Sequence, residues 1–308
     1  MINVFGHISP DTDATGSAIL LAWYLNAHTG KEATPYVLGS LNKETAFMLQ
    51  KWNTPEPTLL ESAAGKEVAI VDTNNAQELL ADLKDATVVQ IIDHHFFAGN
   101  ITTKGPIDVY MKPLASTASV IFDYMKLPVE TLPENIAGIM LSCILSDTLA
   151  FRSPTTTPYD KDLAERLAAK LNINIEAYSQ EMFKAKSDVS DFTDVGLIHI
   201  DSKKVAVGDK NIRISVVETT DPASIIARKD GIVAAISGIL TEEKDTHEVL
   251  FFVVDILKEE ATVFCYNDFT KKLVETSFNV TVSGDTEVLP GVVSRKKQII
   301  PALKLPQA

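Results

Sequence analysis

Residues 2–13 read INVFGHISPDTD, a short apolar run followed at once by a polar loop that contains glycine and proline. The run Ile2–Phe5 is typical of a buried strand. Ala14–Ala27 then has the apolar pattern of a helix that ends before Gly30. A strand, a polar loop and a helix in this order are the building unit of α/β folds.

The same alternation continues through the first 150 residues. Glu67–Val71 and Val88–Ile92 are continuous apolar runs, and Ala76–Leu83 between them has a helical pattern. Continuous apolar strands separated by helices predict a mostly parallel sheet with helices on both faces. Three more helices are predicted at Pro133–Ser146, Pro158–Leu171 and Ile175–Lys184.

The chain of 308 residues is long enough for two domains at roughly 150 residues each. We predict an N-terminal domain at 1–187, a polar and acidic linker at 188–194, and a C-terminal domain at 195–308. In the last part, strand-like runs surround one long helical pattern, Pro222–Leu240. This predicts a smaller C-terminal α/β domain with a mixed sheet.

The composition excludes several classes of protein. Hydrophobic residues make up 45% of the chain, which excludes a disordered, collagen or coiled-coil protein. Two cysteines without a CxxC pair argue against a disulfide scaffold or zinc finger. Because neither a membrane span nor a signal peptide is evident, we expect a cytoplasmic protein. The net charge, 28 − 41 = −13, disfavours nucleic acid as a partner, since a negative surface repels a polyanion.

Acidic and imidazole side chains follow three of the predicted strands, and one more carboxylate follows an apolar helix. These residues are His7, Asp11 and Asp13, then Asp72, then His94, and finally Asp147. The carboxyl ends of parallel strands meet at one edge of a sheet, so these side chains are expected in one crevice. The negative end of the helix before Asp147 also suits a bound cation.

Each of these residues taken singly has a structural explanation. An aspartate at a strand end commonly caps the following helix, and Asp13 fits that role in part. The coincidence of six such residues at one edge favours a metal site instead. Oxygen and imidazole ligands without thiolate favour manganese, magnesium or cobalt over structural zinc. Six ligands are too many for one catalytic ion, so we predict two divalent ions, the usual arrangement for phosphoryl hydrolysis.

Four carboxylates and two divalent ions sum to zero charge, so an anionic substrate needs further positive groups. The C-terminal run at 294–298, which includes Arg295 and Lys296, can supply them, because arginine binds phosphate with a two-pronged fork and lysine adds a point charge. Read alone, such a run is typical of a solvated surface. Lys203 and Lys204 are weaker candidates.

The adjacent pair His94 and His95 suggests a division of roles. Neighbouring side chains in an extended segment point in opposite directions. One histidine can therefore hold a metal ion while the other faces the substrate. The alternative explanation is a turn with one buried ring.

These motifs resemble those of the DHH phosphoesterase superfamily. The resemblance lies in Gly6-His7-x-x-Pro10-Asp11-x-Asp13, Asp72, Asp93-His94-His95 and Ser146-Asp147. Residues 294–298, Ser-Arg-Lys-Lys-Gln, resemble the C-terminal signature of family II (manganese-dependent) inorganic pyrophosphatases. The match runs from residue 2 to about residue 301 in the family's order and spacing. The combination with the basic C-terminal motif is far more specific than the DHH motif alone.

The resemblance implies a dinuclear site in each subunit. His7, Asp11 and Asp72 would hold one ion, and Asp13, Asp72, His94 and Asp147 the other. The ions would be Mn²⁺ or Co²⁺, with an additional Mg²⁺ that arrives with the substrate. Asp72 would bridge the two ions and share the catalytic role with His95. A hydroxide held between the ions would attack pyrophosphate to give two orthophosphates.

The resemblance also implies substrate groups and a partner. His95, Lys203, Arg295 and Lys296 would bind the substrate phosphates, with Lys203 placed by the alignment of 200–203. A homodimer formed through N-terminal domains is expected, with the active site between the two domains of each subunit.

One motif departs from the family pattern. The family's usual Asp-His-Asn is Asp72-Thr73-Asn74 here. The missing histidine is not a metal ligand in that pattern, so we expect the site to form, with altered surroundings that tune metal affinity or turnover. No regulatory insert separates the two domains, so nucleotide regulation is not expected.

Three alternative functions stay open at this point. A short-chain exopolyphosphatase would use the same domain pair. A DHH exonuclease or dinucleotide phosphodiesterase is disfavoured by the charge and by the lack of a Gly-Gly-Gly-His motif. A non-catalytic relative would bind metal or phosphate without releasing product.

Overall fold

The structure is a computed structural model that describes residues 1–306. The chain divides into two compact units, Met1–Lys186 and a second that begins at Ser187. The last two residues of the predicted C-terminal domain, Gln307 and Ala308, lie outside the described residues. No helix within 1–306 has both the length and the apolar character needed to cross a bilayer.

The first unit contains a six-stranded sheet in which all neighbouring strands are parallel. The strands are β1 (Ile2–Phe5), β2 (Ala33–Val37), β3 (Thr58–Leu59), β4 (Glu67–Val71), β5 (Thr87–Asp93) and β6 (Asp108–Met111). Their order is β3-β2-β1-β4-β5-β6, so the chain moves outward from β1 in one direction and then from β4 in the other. The switch between β1 and β4 opens a crevice at the carboxyl ends of the strands.

Six helices belong to the first unit. They are α1 (Thr12–Tyr24), α2 (Lys43–Lys51), α3 (Thr117–Met125), α4 (Glu134–Asp147), α5 (Pro158–Leu171) and α6 (Ile175–Lys186). A turn of π-helix, Leu25–Thr29, extends α1 to a left-handed Gly30. Helices α1 and α4 pack closely at Gly16. The absence of a side chain there permits this contact, because a Cβ would lie only 2.2 Å from Cys143 Sγ. Both helices thereby place polar ends near the same edge of the sheet.

The two faces of this sheet have separate cores. Val4 and Ala69 pack with apolar residues of α1, α3 and α4 on one face. Phe5 and Ile70 alternate with them along β1 and β4 and pack on the other face. Burial on both faces explains why the strands are continuously apolar.

The helix predicted at Ala76–Leu83 is wrong. Two separate turns of 3₁₀-helix form instead, at Ala76–Glu78 and Leu83–Asp85. The backbone is extended at Leu79 between them. The Asp82 carboxylate accepts hydrogen bonds from Ser62 and from the backbone at residues 63 and 64, so it holds a neighbouring loop.

The second unit contains a mixed sheet in its described residues, 187–306. Its strands are β7 (Ser202–Val207), β8 (Lys210–Thr219), β9 (Glu248–Asp255), β10 (Glu260–Phe264) and β11 (Thr286–Pro290), in the order β11-β10-β9-β8-β7. Only β8 and β9 pair in parallel among these strands. The predicted α/β class, with a parallel first sheet and a mixed second sheet, is confirmed.

The helices of the second unit are α7 (Asp194–His199), α8 (Pro222–Ile226), α9 (Lys229–Glu242), α10 (Asp268–Phe278) and α11 (Ile300–Ala302). The prediction of a single helix at Pro222–Leu240 is therefore wrong, because the helix is interrupted between α8 and α9. Arg228 at the break donates to Asp194 and to the carbonyls of Val189 and Phe192. These bonds hold the polar segment before α7 against the second unit.

Candidate metal centre

The predicted metal ligands lie at the carboxyl ends of three adjacent strands. His7 follows β1, Asp72 follows β4 and His94 follows β5. These strands are neighbours in the order β1-β4-β5, and the switch point lies between the first two. The sheet therefore brings together side chains that are distant in the sequence, as the strand-end pattern predicts.

Three groups of ligand atoms form here, and the atoms of each group lie within 4.8 Å of one another. One group is Asp72, His94 and His95, and the other two consist of predicted metal ligands only: His7, Asp11 and Asp72, and Asp13, His94 and Asp147. Asp72 joins them, because its Oδ2 lies 3.6 Å from His7 Nε2 and its Oδ1 lies 3.4 Å from His94 Nε2. One carboxylate thus presents each of its oxygens to a different group.

The backbone at Asp72 has a left-handed conformation, with φ of 60°. Aspartate tolerates this region better than most residues. The side chain is buried, and its Oδ1 accepts a hydrogen bond from Thr117 Oγ1 at 2.8 Å. The turn of the chain after β4 and the Thr117 hydroxyl together fix the carboxylate in the crevice.

Asp13 is completely buried at the N-terminus of α3. Its carboxylate accepts hydrogen bonds from the backbone N–H groups of Thr117 and Ala118, at 2.6 and 3.1 Å, and from the hydroxyls of Ser17 and Ser116. The N-terminus of a helix favours a negative charge through its free N–H groups. Asp13 therefore caps α3, a different helix from the one that contains it.

Asp11 lies at the N-terminus of a helix and Asp147 at the C-terminus of another. Asp11 is the N-cap of α1, since its Oδ1 accepts from Ala14 N at 2.9 Å, while its Oδ2 is 3.8 Å from His7 Nε2. Asp147 ends α4, and its Oδ2 lies 3.9 Å from His94 Nε2. The cap of α1 is thus Asp11 and not Asp13, for which the sequence suggested that role, and the other oxygen of Asp11 is directed at the cluster.

The two adjacent histidines make different contacts. His94 Nδ1 donates to the carbonyl of Leu114 at 3.0 Å, because a carbonyl can only accept. This bond orients the ring so that Nε2 faces Asp72 and Asp147, and Nε2 is the nitrogen that would bind a metal ion once it has lost its proton, an arrangement typical of metal-binding histidines. His95 Nδ1 donates to Asp93 Oδ1 at 2.9 Å, and its side chain is 47% exposed.

Asp93 was missed as a functional group by the sequence analysis. It is fully buried, and its Oδ1 also accepts from the backbone N–H groups of His94 and His95. Asn74 donates to its other oxygen at 2.6 Å. Asp93 therefore orients both histidines through these hydrogen bonds. It does not itself belong to any of the groups of ligand atoms.

Ser116 and Thr117 were also missed, although a signal for them exists. They stand directly before an apolar run, and Ser116 is indeed the N-cap of α3. That pattern predicts a helix start, whereas the contacts of Thr117 with Asp72 and of both residues with Asp13 depend on the tertiary fold.

Charge is unevenly distributed over the cluster. Burial would lower the pKa of His7 and His94, but the hydrogen bonds with Asp72 and the nearby carboxylates raise both to about 9. Burial would raise the pKa of Asp72, but the hydrogen bonds from the same two histidines outweigh it, so the pKa of Asp72 is lowered. Asp72 is thus the carboxylate that stays ionised.

The remaining carboxylates repel one another. Burial and the charge of Asp72 raise the pKa of Asp13 to about 7, and burial and the charge of Asp13 raise the pKa of Asp147 well above its usual range. Burial and Asp72 also raise the pKa of Asp11, against which the Lys186 ammonium acts. Such a buried acidic cluster is stable in its ionised form when cations bind it. The donor set, oxygen and imidazole without thiolate, fits Mn²⁺ or Co²⁺.

The predicted substrate residues of the second unit show one defined contact. Arg295 Nη2 lies 2.7 Å from Asp201 Oδ1, directly before β7, whereas Arg295 Nη1 is buried without a hydrogen-bond partner in residues 1–306. Lys203 and Lys296 are exposed, and no acidic group in the described chain pairs with either. Lys204 instead pairs with Asp245 at 2.7 Å.

The departure at residue 73 is accommodated by a neighbouring carboxylate. Thr73 Oγ1 donates to Glu78 Oε2 at 2.7 Å and accepts from the backbone N–H of Asn75. The Thr73 side chain is buried and is not part of any of the groups of ligand atoms.

Known proteins are similar to this chain in sequence and fold. Residues 1–144 match the DHH family, N-terminal domain, and residues 180–305 match the DHHA2 domain. The chain is 38% identical over 314 residues to the manganese-dependent inorganic pyrophosphatase of Methanocaldococcus jannaschii, with 98% of this chain and 97% of the relative aligned. It is 37% identical over 302 residues to a Brevibacillus brevis protein named "Probable manganese-dependent inorganic pyrophosphatase", with 97% and 96% aligned.

A solved structure gives the same result. The crystal structure of a Methanococcus jannaschii protein described as a family II inorganic pyrophosphatase superposes with a TM-score of 0.61 at 38% identity, covering 98% of each chain. The fold and the two domain matches define a DHH-family protein with a DHHA2 domain. The chain belongs to the family of manganese-dependent inorganic pyrophosphatases, family II.

The shifted histidines predict that metal loading releases protons. At pH 7.5, His7 and His94 carry a proton because their pKa is raised to about 9, and each must lose it to bind a cation. The apparent Mn²⁺ affinity should therefore rise with pH up to about 9 and fall as pH is lowered. Calorimetry of Mn²⁺ binding in two buffers of different ionisation enthalpy should show release of two protons from the histidines, together with those that Asp13 and Asp147 hold.

A matched control is His199→Gln, which changes an exposed histidine in the second unit. This variant should release the same number of protons as the wild type. Heats that do not depend on the buffer would contradict the protonated state of His7 and His94.

Proposed function

We propose that this protein hydrolyses inorganic pyrophosphate to two orthophosphates at the cluster around Asp72. The observation that carries the proposal is the position of Asp72, whose two oxygens face two separate groups of His and Asp ligands. A shared carboxylate is the usual device for holding two divalent ions a few ångströms apart. The names of relatives at 37–38% identity support pyrophosphate as the substrate.

The metal ligands in this proposal are the six residues of the two groups that consist of predicted ligands, and Asp72 is proposed to be shared by both metal sites. His7 and Asp11 complete the first site with it, and the second takes the other three: Asp13, His94 and Asp147. When two Mn²⁺ or Co²⁺ ions are bound there, they supply a water of lowered pKa and Lewis-acid stabilisation of the phosphate oxygens. The substrate is proposed to bring an additional Mg²⁺.

The protein's own groups have separate tasks. Asp93 holds His95 Nδ1, which leaves Nε2 of this half-exposed ring to hydrogen bond with a phosphate oxygen. Arg295, Lys203 and Lys296 are proposed to bind the phosphates and to stabilise the charge that develops on them. These basic groups belong to the second unit and the metal ligands to the first, so the proposed domain division is also a division of labour.

The first test compares substrates and metals directly. Protein stripped of metal and reloaded with Mn²⁺, Co²⁺, Zn²⁺ or Mg²⁺, with Mg²⁺ always present, is given pyrophosphate, tripolyphosphate or a short oligonucleotide. Phosphate release should be fastest from pyrophosphate with Mn²⁺ or Co²⁺. Preference for tripolyphosphate would replace the proposed substrate by short polyphosphate. Bound metal without any release would identify a non-catalytic relative.

The division of labour predicts different effects for two substitutions. Arg295→Ala should raise KM or lower turnover roughly 10–100-fold, since a charged hydrogen bond contributes about 1.5–3 kcal/mol, and should leave Mn²⁺ affinity unchanged. Asp72→Ala should abolish the binding of two ions. Steady-state kinetics and equilibrium dialysis with Mn²⁺ measure the two effects. Lys297→Ala, in the same basic run, is the matched control and should change neither.

Loss of Mn²⁺ binding in Arg295→Ala would contradict the assignment of this residue to the substrate. Two tightly bound ions in Asp72→Ala would contradict the bridging role.

A homodimer through the first unit is also proposed, and the edge strand β6 supports it. Within the described chain β6 pairs only with β5, and Val109 on it is 47% exposed. Phe96 and Phe97, which follow β5, are exposed as well. Two such edges can pair about a twofold axis and remove the unpaired backbone groups of both. The cytoplasmic location stays a prediction of the sequence.

Sedimentation equilibrium tests the dimer. The wild type should have the mass of two chains, and Val109→Asp should shift it toward one, because a charge at a paired edge is desolvated. Leu59→Asp is the matched control, since Leu59 is similarly exposed on β3, the opposite edge strand. Dissociation by Leu59→Asp alone would place the interface at the other edge, and a monomeric wild type would refute the dimer.

A further inference from the structure

Glu44, on α2, is a buried carboxylate that belongs to neither group of metal ligands. Its relative exposure is 1%. Three groups converge on its Oε2: Thr12 Oγ1 at 3.1 Å, Ser146 Oγ at 2.8 Å and Lys186 Nζ at 3.3 Å. Since burying a carboxylate costs free energy unless it is paired, this convergence needs an explanation beyond packing.

The partners of Glu44 are the immediate neighbours of proposed ligands. Thr12 lies between Asp11 and Asp13 at the start of α1, and Ser146 directly precedes Asp147 at the end of α4. These ends belong to different helices and are separated by more than a hundred residues in the sequence. One oxygen of Glu44 therefore connects the start of α1, which contains two proposed ligands, with the end of α4, which contains a third.

Lys186 gives this contact a third anchor. It is the last residue of α6 and the last residue of the first unit. Its ammonium balances the charge of Glu44. This fifth carboxylate near the cluster therefore does not change the charge balance between the four ligand carboxylates and the two divalent ions. Thr45, next to Glu44, adds a hydroxyl contact to Thr12 at 3.2 Å.

We propose that Glu44 is a positioning residue that holds the Asp11–Asp13 loop and Asp147 at the separation that two bound metal ions require. It acts through the hydroxyls of Thr12 and Ser146 and is charge-balanced by Lys186. Groups behind metal ligands commonly change metal affinity about 10–100-fold when they are removed. The inference rests on the proposed function of the cluster as a two-metal site, but it concerns metal affinity and does not depend on the substrate.

The test is Mn²⁺ binding by equilibrium dialysis, with pyrophosphate hydrolysis as a second readout. Glu44→Ala should weaken Mn²⁺ binding about 10–100-fold, and excess Mn²⁺ should restore its hydrolysis. Glu44→Gln keeps an oxygen that can accept from both hydroxyls, so it should retain most of the affinity. A merely structural role would lower thermal stability without this dependence on Mn²⁺ concentration.

Two further variants make the result decisive. Glu181→Ala removes the partner of Lys51 in an exposed pair of the same unit, 3.0 Å apart, and should leave Mn²⁺ affinity unchanged. Thr12→Val with Ser146→Ala removes both hydroxyls while keeping Glu44, and should weaken Mn²⁺ binding as Glu44→Ala does. This double variant decides the matter if Glu44→Ala does not fold.

Wild-type Mn²⁺ affinity in folded Glu44→Ala, or in the double variant, would overturn this inference and leave the proposed two-metal site intact. A wild-type protein that binds no Mn²⁺ would overturn the proposed two-metal site together with it. Wild-type protein that binds two Mn²⁺ but leaves pyrophosphate intact would refute the proposed substrate, and the dialysis results would still decide the role of Glu44.

Discussion

The arrangement of the first unit depends on one carboxylate with two faces. Asp72 can meet His7 with one oxygen and His94 with the other only because it lies on the strand between those that carry the two histidines. The left-handed backbone at this position, which typically costs about 1–3 kcal/mol, turns the side chain into the crevice. Among the proposed ligands, only Asp72 contacts both histidines, so no neighbouring carboxylate takes the same position.

Gathering acidic groups around this carboxylate requires compensation, and helix ends provide part of it. The N-terminus of α3 donates two backbone N–H groups to Asp13 and so stabilises its negative charge. The C-terminus of α4, where Asp147 lies, has the opposite polarity and favours a cation. One helix end thus stabilises an anion, while the other adds to the negative potential that a divalent ion neutralises.

The sequence was sufficient for features that are determined locally. Apolar runs placed β4 at its observed bounds, and the residues after each run identified the cluster, because parallel strands must end at one edge. The helix at Pro158–Leu171 was likewise predicted with its observed bounds, since Thr157 and Asp160 form a capping box around a proline at the first turn. The prediction of a helix at Ala76–Leu83 was wrong, because Asp82 hydrogen bonds with a distant loop and no local pattern in the sequence indicates this contact.

Groups that act through distant partners could not be found in the same way. Thr117 and Glu44 are ordinary polar residues in the sequence, and their roles depend on contacts with residues that only the fold brings near. Glu44 in particular lies on an amphipathic helix, where a glutamate predicts an exposed surface. Its burial becomes intelligible only after α1, α4 and α6 are placed around it.

The same requirement for paired charge shapes the proposed phosphate-binding residues. Asp201 accepts a hydrogen bond from Arg295 Nη2, so the guanidinium is already oriented and would lose less side-chain freedom on binding a phosphate. The cost is that the charge of Arg295 is largely neutralised before the substrate arrives. The uncompensated positive charge then comes from Lys203 and Lys296, which have no acidic partner among residues 1–306. Salt would screen the attraction between these exposed lysines and an anion, whereas the orientation that Asp201 gives the guanidinium of Arg295 does not depend on long-range attraction.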